Sequence, residues 1–320
     1  MTAVAVLGLG SIGLRHATNL IQLGQYVVGF DPDPERRNKL LALGGTPSES
    51  REFALEQADA AVVATPNRFH LDDLTAAIDA GCPTFVEKPI SHRSDGVAEL
   101  LAEAQTRNLS VFAALNLRYH PSVEFAKAAL AEQRIGPIVW ARLICSSYLP
   151  NWRPHQDYRK GHACDPETGG ILFEDIHEVD LANHLLGPAR VVAATARVTE
   201  TLELTAEDCA DLILRHPDGV ISSIHMDFAT PVPQRVTEIA GTKGVIRIDI
   251  IGRSYLETNA DGEIVHERRF DSLIDNDYLA EMDAFLGSLD GGGDVRCDGG
   301  EALDVLEQVI HARELAGLPA

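Results

Sequence analysis

The first third of the chain alternates short apolar runs with stretches in which apolar residues recur every three or four positions. Val4-Ala5-Val6-Leu7 reads as a buried strand, followed by a helix over residues 11–23 and a second strand over 26–30. Further strand-like runs fall at 60–64, 84–86 and 109–115, separated by helical periods that include 69–80 and 97–106. Short β-branched runs spaced by helices indicate βαβ units, and hence a parallel sheet covered on both faces. Right-handed crossovers make a doubly wound sheet the expected topology.

After Asn116 the pattern changes. A helix over 123–132 precedes an apolar strand at 138–144, and the Pro-, Gly- and charge-rich stretch 148–170 predicts a long loop, usually a functional feature. A helix is expected over 172–186. Strands then dominate 191–267, separated by the turn signals Pro217-Asp218-Gly219, Thr242-Lys243-Gly244 and Ala260-Asp261-Gly262. Within 220–228, Ile224, Met226 and Phe228 share one face while Ser223, His225 and Asp227 share the other, the mark of a half-buried antiparallel strand. Two further helices, over 277–289 and 301–315, flank a Gly/Asp-rich loop. A chain of 320 residues suits two domains, and the change of pattern divides it into 1–119 and 120–320.

Composition narrows the function classes. A net charge of −21 speaks against nucleic acid or an anionic membrane as a partner, since both reward a basic surface. No apolar run approaches the roughly 18 residues of a membrane span, and the N-terminal MTAVAVLGLG lacks the basic region and cleavage site of a signal peptide. The 5 cysteines are an odd set with no CxxC pair, which suggests reduced thiols in the cytoplasm. His155, His162 and Cys164 do not match the spacing of a metal site, so no metal is expected.

Gly8-Leu9-Gly10-Ser11-Ile12-Gly13 fits GxGxxG, and here it directly follows a strand and opens a helix. In that context Gly8 serves the tight turn, Gly10 lets the backbone approach a pyrophosphate, and Gly13 lets helix and strand pack closely. The helix N-terminus favours the negative charge. Asp31 closes the second strand, where a carboxylate can bond the adenosine ribose diol and repel a 2′-phosphate. NAD is therefore expected rather than NADP. Arg36 and Arg37 stand just beyond as solvated arginines, or as a cradle for that phosphate if NADP were used.

Two later motifs also end strands: Ala64-Thr65-Pro66-Asn67-Arg68-Phe69-His70 and Val86-Glu87-Lys88-Pro89. Ligands of open α/β sheets bind at carboxyl ends of strands, so Thr65, Pro66, Asn67, His70, Glu87 and Lys88 join Gly8, Gly10, Ser11, Ile12, Gly13 and Asp31 as cofactor candidates. With the glycine motif, the EKP tripeptide and the later stretches Asn116-Leu117-Arg118-Tyr119-His120-Pro121, Tyr148 to Pro154, and Gly169-Gly170 before His177-Glu178-Val179-Asp180, most of the chain resembles the glucose-fructose oxidoreductase, inositol dehydrogenase and rhizopine-catabolism family, in a branch acting on sugar nucleotides or amino sugars. The resemblance implies an α/β protein: an N-terminal Rossmann doubly wound sheet, then a domain with a large, open, mostly antiparallel sheet. It also implies a homo-oligomer, a dimer or tetramer.

The resemblance further implies that Lys88 lies near the nicotinamide, where it takes a proton as hydride leaves the same carbon. General acid–base help of this kind contributes roughly 10²–10⁴-fold. His177 is the second catalytic candidate. The family's acid stands four residues before this histidine, but here that position is Phe173, and the acids are Glu174 and Asp175. Glu174, three residues before His177, would share its helical face and assist it, and Asp180 would orient the ring. Arg118, Tyr119, Trp152, Arg153, Tyr158, Asp175, His177 and Lys88 are candidates for substrate contact, since aromatics stack on sugar faces and arginines grip anions. The expected reaction is NAD-dependent oxidation of a secondary alcohol on a sugar, sugar derivative or cyclitol. The competing readings are an NAD-dependent glycosidase that oxidises its sugar transiently, and a non-enzymatic NAD- or ligand-sensing protein.

Overall fold

The computed structural model describes residues 1–152, 154–289 and 296–319. The chain forms two compact units: Met1–Asn116 with Ile274–Leu306, and Leu117–Leu273 with Glu307–Ala320. The division thus follows Asn116, and a late segment returns to the first unit. Nothing in the hydrophobic pattern signalled that return against the expected 1–119 and 120–320.

In the first unit the strands β1 (Ala3–Leu7), β2 (Tyr26–Phe30), β3 (Thr46–Pro47), β4 (Ala60–Val63), β5 (Thr84–Val86) and β6 (Val111–Ala113) pair in parallel. Their spatial order is β3-β2-β1-β4-β5-β6, the doubly wound dinucleotide-binding order. β4, β5 and β6 are buried at every position, as a sheet covered on both faces requires. Helix α1 (Ser11–Gln22) buries Gly13, His16, Ala17 and Leu20, one stripe at helical spacing. Also in this unit, Phe85 stacks on Phe112 at 5.4 Å, and Phe285 of the late segment meets both rings edge-on at 5.6 and 6.0 Å. Aromatic packing therefore anchors the returning segment.

The second unit is built on an 8-stranded sheet. Its strands are β7 (Ile138–Tyr148), β8 (Arg190–Arg197), β9 (Cys209–Arg215), β10 (Ile221–Asp227), β11 (Ala229–Gly241), β12 (Gly244–Asp249), β13 (Ser254–Asn259) and β14 (Ile264–Arg269). The order is β14-β13-β12-β11-β7-β10-β9-β8, antiparallel except at β10–β7. β10 has the expected faces, with Ile224, Met226 and Phe228 buried, but it lies parallel to β7 on one side. The loop expected at 148–170 is wound into three 3₁₀ turns, at Leu149–Asn151, Tyr158–Lys160 and His162–Cys164. The helix expected over 172–186 is broken. It forms a short piece at Ile171–Glu174 and a longer one at His177–Leu186, with Asp175 at φ −103°, ψ 32° between them.

A candidate dinucleotide site and a buried acid–arginine cluster

Four loops of the first unit leave the sheet side by side, because the ladder continues one residue past the strand ends. Ala64 N–H donates to Leu7 O, Glu87 N–H to Val63 O and Ala114 N–H to Val86 O, each within 2.8–2.9 Å. Gly8 N–H likewise donates to Phe30 O at 2.8 Å. The glycine turn, the Thr65 loop and the EKP turn are thereby neighbours.

The glycines divide the work as steric reasoning demands. Gly8 has φ +86°, and a Cβ there would lie 2.6 Å from the Ala64 carbonyl oxygen. A Cβ on Gly13 would sit 1.9 Å from the Gly8 carbonyl oxygen, while one on Gly10 would meet nothing within 4 Å. Gly10 is therefore the open position, the place where a phosphate can approach. It is also the N-cap of α1 and has no side chain to bond the first-turn N–H groups. Those donors and the helix dipole suit an anion. Ser11 and Ile12 form the first turn.

Asp31 is 2% exposed. Its Oδ2 accepts from Leu9 N–H at 2.8 Å and its Oδ1 from Asp33 N–H at 2.9 Å, so the carboxylate ties the end of β2 to the glycine turn. Arg36 Nη1 approaches Oδ2 at 3.3 Å, and Arg37 donates to the Asp31 carbonyl at 2.6 Å. Both arginines thus lean on Asp31 itself.

Thr65 Oγ1 donates to Asp73 at 2.8 Å, Pro66 precedes a 3₁₀ turn, and Asn67 in that turn is buried. His70 is buried with its two ring nitrogens facing Pro89 O at 2.8 Å and Thr65 O at 2.7 Å, so it clamps the Thr65 loop to the EKP turn. Burial lowers its pKa, against the two carbonyl bonds. Glu87 is buried, accepts from Lys88 N–H at 3.1 Å and meets His16 Nε2 at 2.7 Å. Burial pushes its carboxyl up, but His16, Lys88 and His70 together hold it below the ordinary value.

In the second unit His177 opens the longer helix and is 8% exposed. The acids beside it differ in surroundings. Asp175 Oδ1 lies 3.4 Å from Arg235 Nη2, and Arg235 Nε donates to Glu178 at 2.7 Å. Burial raises the Glu178 pKa, although Arg235 opposes the rise. Glu174 is partly exposed and lies 4.0 Å from His162 Nε2. The break at Asp175 removes the continuous helix on which Glu174 was expected to share a face with His177.

Asp180, expected to orient His177, takes a two-pronged bond from Arg118. Nε meets both carboxylate oxygens at 3.0 and 3.2 Å, and Nη2 meets Oδ1 at 2.6 Å. Both side chains are buried, so Arg118 braces this helix against the segment before Pro121. Tyr119 is buried next to it. His120 caps the helix Pro121–Ala131 through Ser122 N–H, and burial lowers its pKa to about 4. Trp152 is 45% exposed and stands edge-on to Phe228 at 5.2 Å. Tyr158 Oη donates to Leu202 O at 3.2 Å, and Arg153 lies outside the described residues. On a face of the second sheet, His225 bonds Asp211 at 2.9 Å and approaches Asp227 at 3.3 Å, with Cys209 close by.

Sequence reasoning had passed over His16 and Arg235. Both carried a signal: His16 is a polar residue in the apolar stripe of α1, and Arg235 is a lone cation in its strand directly before the buried Val236 and Thr237.

A sheet of this order, with a glycine turn and an uncapped helix at its carboxyl edge, defines a dinucleotide-dependent enzyme class. The family comparisons name it. Residues 2–115 match the family model described as "Oxidoreductase family, NAD-binding Rossmann fold", and 123–247 match "GFO/IDH/MocA C-terminal domain". The chain belongs to this oxidoreductase family.

It is similar to D-xylose 1-dehydrogenase (NADP(+)) 2 of Haloferax volcanii, 26% identical over 325 residues that cover 97% of this chain and 96% of the relative. It is also similar to a myo-inositol dehydrogenase of Streptomyces leeuwenhoekii, 25% identical over 300 residues, with 90% and 89% covered. Among solved structures, levoglucosan dehydrogenase in complex with NADH has the same fold, with a TM-score of 0.89, 18% identity, and coverage of 99% and 97%.

Proposed function

We propose that the protein catalyses reversible, NAD-dependent oxidation of a secondary alcohol on a sugar, sugar derivative or cyclitol. The observation that carries this reading is the row formed by the glycine turn, the Thr65 loop and the EKP turn at the carboxyl ends of the neighbouring strands β1, β4 and β5. The bound dinucleotide supplies the hydride acceptor. Gly8, Gly10, Ser11, Ile12 and Gly13 receive its diphosphate, Asp31 bonds the ribose diol, and the loop from Thr65 to His70 with Glu87 borders the nicotinamide half. Lys88 takes the hydroxyl proton as the C–H bond breaks, and His177 binds the hydroxyl or shares that proton. Glu174 and Asp175 tune His177, with Asp175 anchored through Arg235. Tyr119, Trp152 and Tyr158 border the sugar. The relatives named above support the substrate class, since D-xylose and myo-inositol are both polyhydroxylated.

We further place the enzyme in the cytoplasm as a homo-oligomer; all five cysteines are free thiols, and no helix of the described residues is long and apolar enough to cross a membrane. A panel of sugars, sugar phosphates, sugar nucleotides and cyclitols with NAD and with NADP tests the reading through absorbance of the reduced nicotinamide. Accumulation of NADH with a free sugar or cyclitol is the expected result. Cleavage of glycosides with no net NADH would replace the dehydrogenase by a glycosidase.

A further inference from the structure

Beneath the EKP turn His16 meets Glu87, a contact that the reaction scheme above does not use. His16 projects from the buried stripe of α1 and is fully buried, wedged edge-on against Phe85 at 5.0 Å and Tyr278 at 6.3 Å. Its Nε2 meets Glu87 Oε1 at 2.7 Å, and the other carboxylate oxygen of Glu87 accepts the Lys88 backbone N–H at 3.1 Å. His16 Nδ1 is buried with no hydrogen-bond partner among the described residues. An N–H at Nδ1 would be an unsatisfied buried donor, so the fitting tautomer carries its proton on Nε2. His16 then donates one hydrogen bond to Glu87 and leaves the carboxylate its negative charge. On the far side of the same turn, His70 meets the Pro89 carbonyl at 2.8 Å. The Lys88–Pro89 segment is thus gripped from both sides by buried histidines, one directly and one through Glu87.

We propose that His16 and Glu87 are a positioning pair for Lys88: they fix its main chain and set the electrostatic field at its amine, and so set the pH range of proton transfer. This rests on the reading of Lys88 as the proton-transfer group. Among the described residues, the charged and titratable groups facing Glu87 are His16 from α1, His70 from the start of the helix His70–Asp79, Lys88 from its own turn, and Tyr278, whose surroundings include Arg15 and Glu281. Among them the Glu87 carboxylate and the Lys88 ammonium attract each other, each favouring the other's charged form. The pair also joins the helix that starts at the glycine turn to the EKP turn, so the phosphate-binding and proton-transfer ends of the site share one buried support.

The test follows Lys88 itself in the enzyme without cofactor. The chain has lysine only at 39, 88, 127, 160 and 243, so trace acylation with acetic anhydride across a pH series, read by peptide mass spectrometry, gives a titration for each lysine. Glu87→Gln keeps the shape and an acceptor for Lys88 N–H but removes the charge. The Lys88 midpoint is expected to fall by about one pH unit while the other four stay put. His16→Leu leaves the carboxylate charged but without its donor and so raises the Lys88 midpoint, opposite to Glu87→Gln, and His16→Gln, which retains a donor, restores the wild-type midpoint. The pH profile of kcat in Glu87→Gln moves with the acylation midpoint. An unmoved Lys88 midpoint in a Glu87→Gln protein of wild-type melting behaviour overturns the proposal even if His16→Leu fails to fold. Failure of the wild type to bind NADH or oxidise any sugar would instead overturn the functional reading, whatever the acylation shows.

Discussion

Asp31 shows how one side chain carries both architecture and selectivity. Its two oxygens hold Leu9 N–H and Asp33 N–H, and Arg36 rests against it. Those bonds hold the carboxylate at the end of β2, where a second anion would be disfavoured. The wild type is therefore expected to show a higher kcat/KM with NAD than with NADP. Asp31→Asn, which keeps the shape but not the charge, narrows that ratio by roughly tenfold, the effect of about 1.4 kcal/mol. An unchanged ratio in the variant would remove Asp31 from the discrimination. The glycine motif, Asp31 and the EKP turn were legible in the sequence because each demands a particular residue at a strand end. His16 and Arg235 were not, because their meaning depends on partners far along the chain, Glu87 for one and Asp175 with Glu178 for the other.

At the level of elements, the packing of α1 on β1 depends on Gly13. A methyl group there would collide with the Gly8 carbonyl at 1.9 Å, so Gly13→Ala displaces the helix start. The variant is expected to lose NADH binding measured by fluorescence titration and about 1–3 kcal/mol of stability. Arg118→Met removes the guanidinium paired with the buried Asp180 carboxylate, which costs about 3–5 kcal/mol in urea unfolding, and Asp180→Leu in the same chain recovers much of the loss. Equal stability of the single variant and the wild type would mean the pair is not buried as described.

Strands β1, β2, β4, β5 and β6 of the first unit followed from apolar runs, since a covered parallel sheet writes itself as continuous apolar runs, whereas the two-residue β3 did not. The break near Asp175 did not. The residues there suit a helix, and tertiary bonding of Asp175 and Glu178 to Arg235 accompanies the interruption.

For the molecule as a whole, buried ionisable groups make stability depend on pH. The folded His120 ring stays neutral down to about pH 4, while the unfolded chain takes up that proton near pH 6.5. Between these values the unfolded state binds more protons, so stability falls as pH drops through this window, by about 3 kcal/mol in total from this residue. Urea unfolding at a series of pH values checks the slope. His120→Gln flattens it, and a slope identical to the wild type would show that other groups carry it. The existence of two units was legible in the change of pattern near residue 116. The return of Ile274–Leu306 was not, because it is fixed by contacts such as Phe285 with Phe85 and Phe112 and not by any local signal.

Lys88 is proposed to move the proton in a reaction for which the first unit binds the dinucleotide. This role is tested most directly by comparing wild type and Lys88→Met for NADH formation on the best sugar of the panel, with NADH affinity measured on the same preparations. The expected result is a loss of at least about 10²-fold in kcat with affinity changed by little. Equal turnover in the two proteins would contradict it.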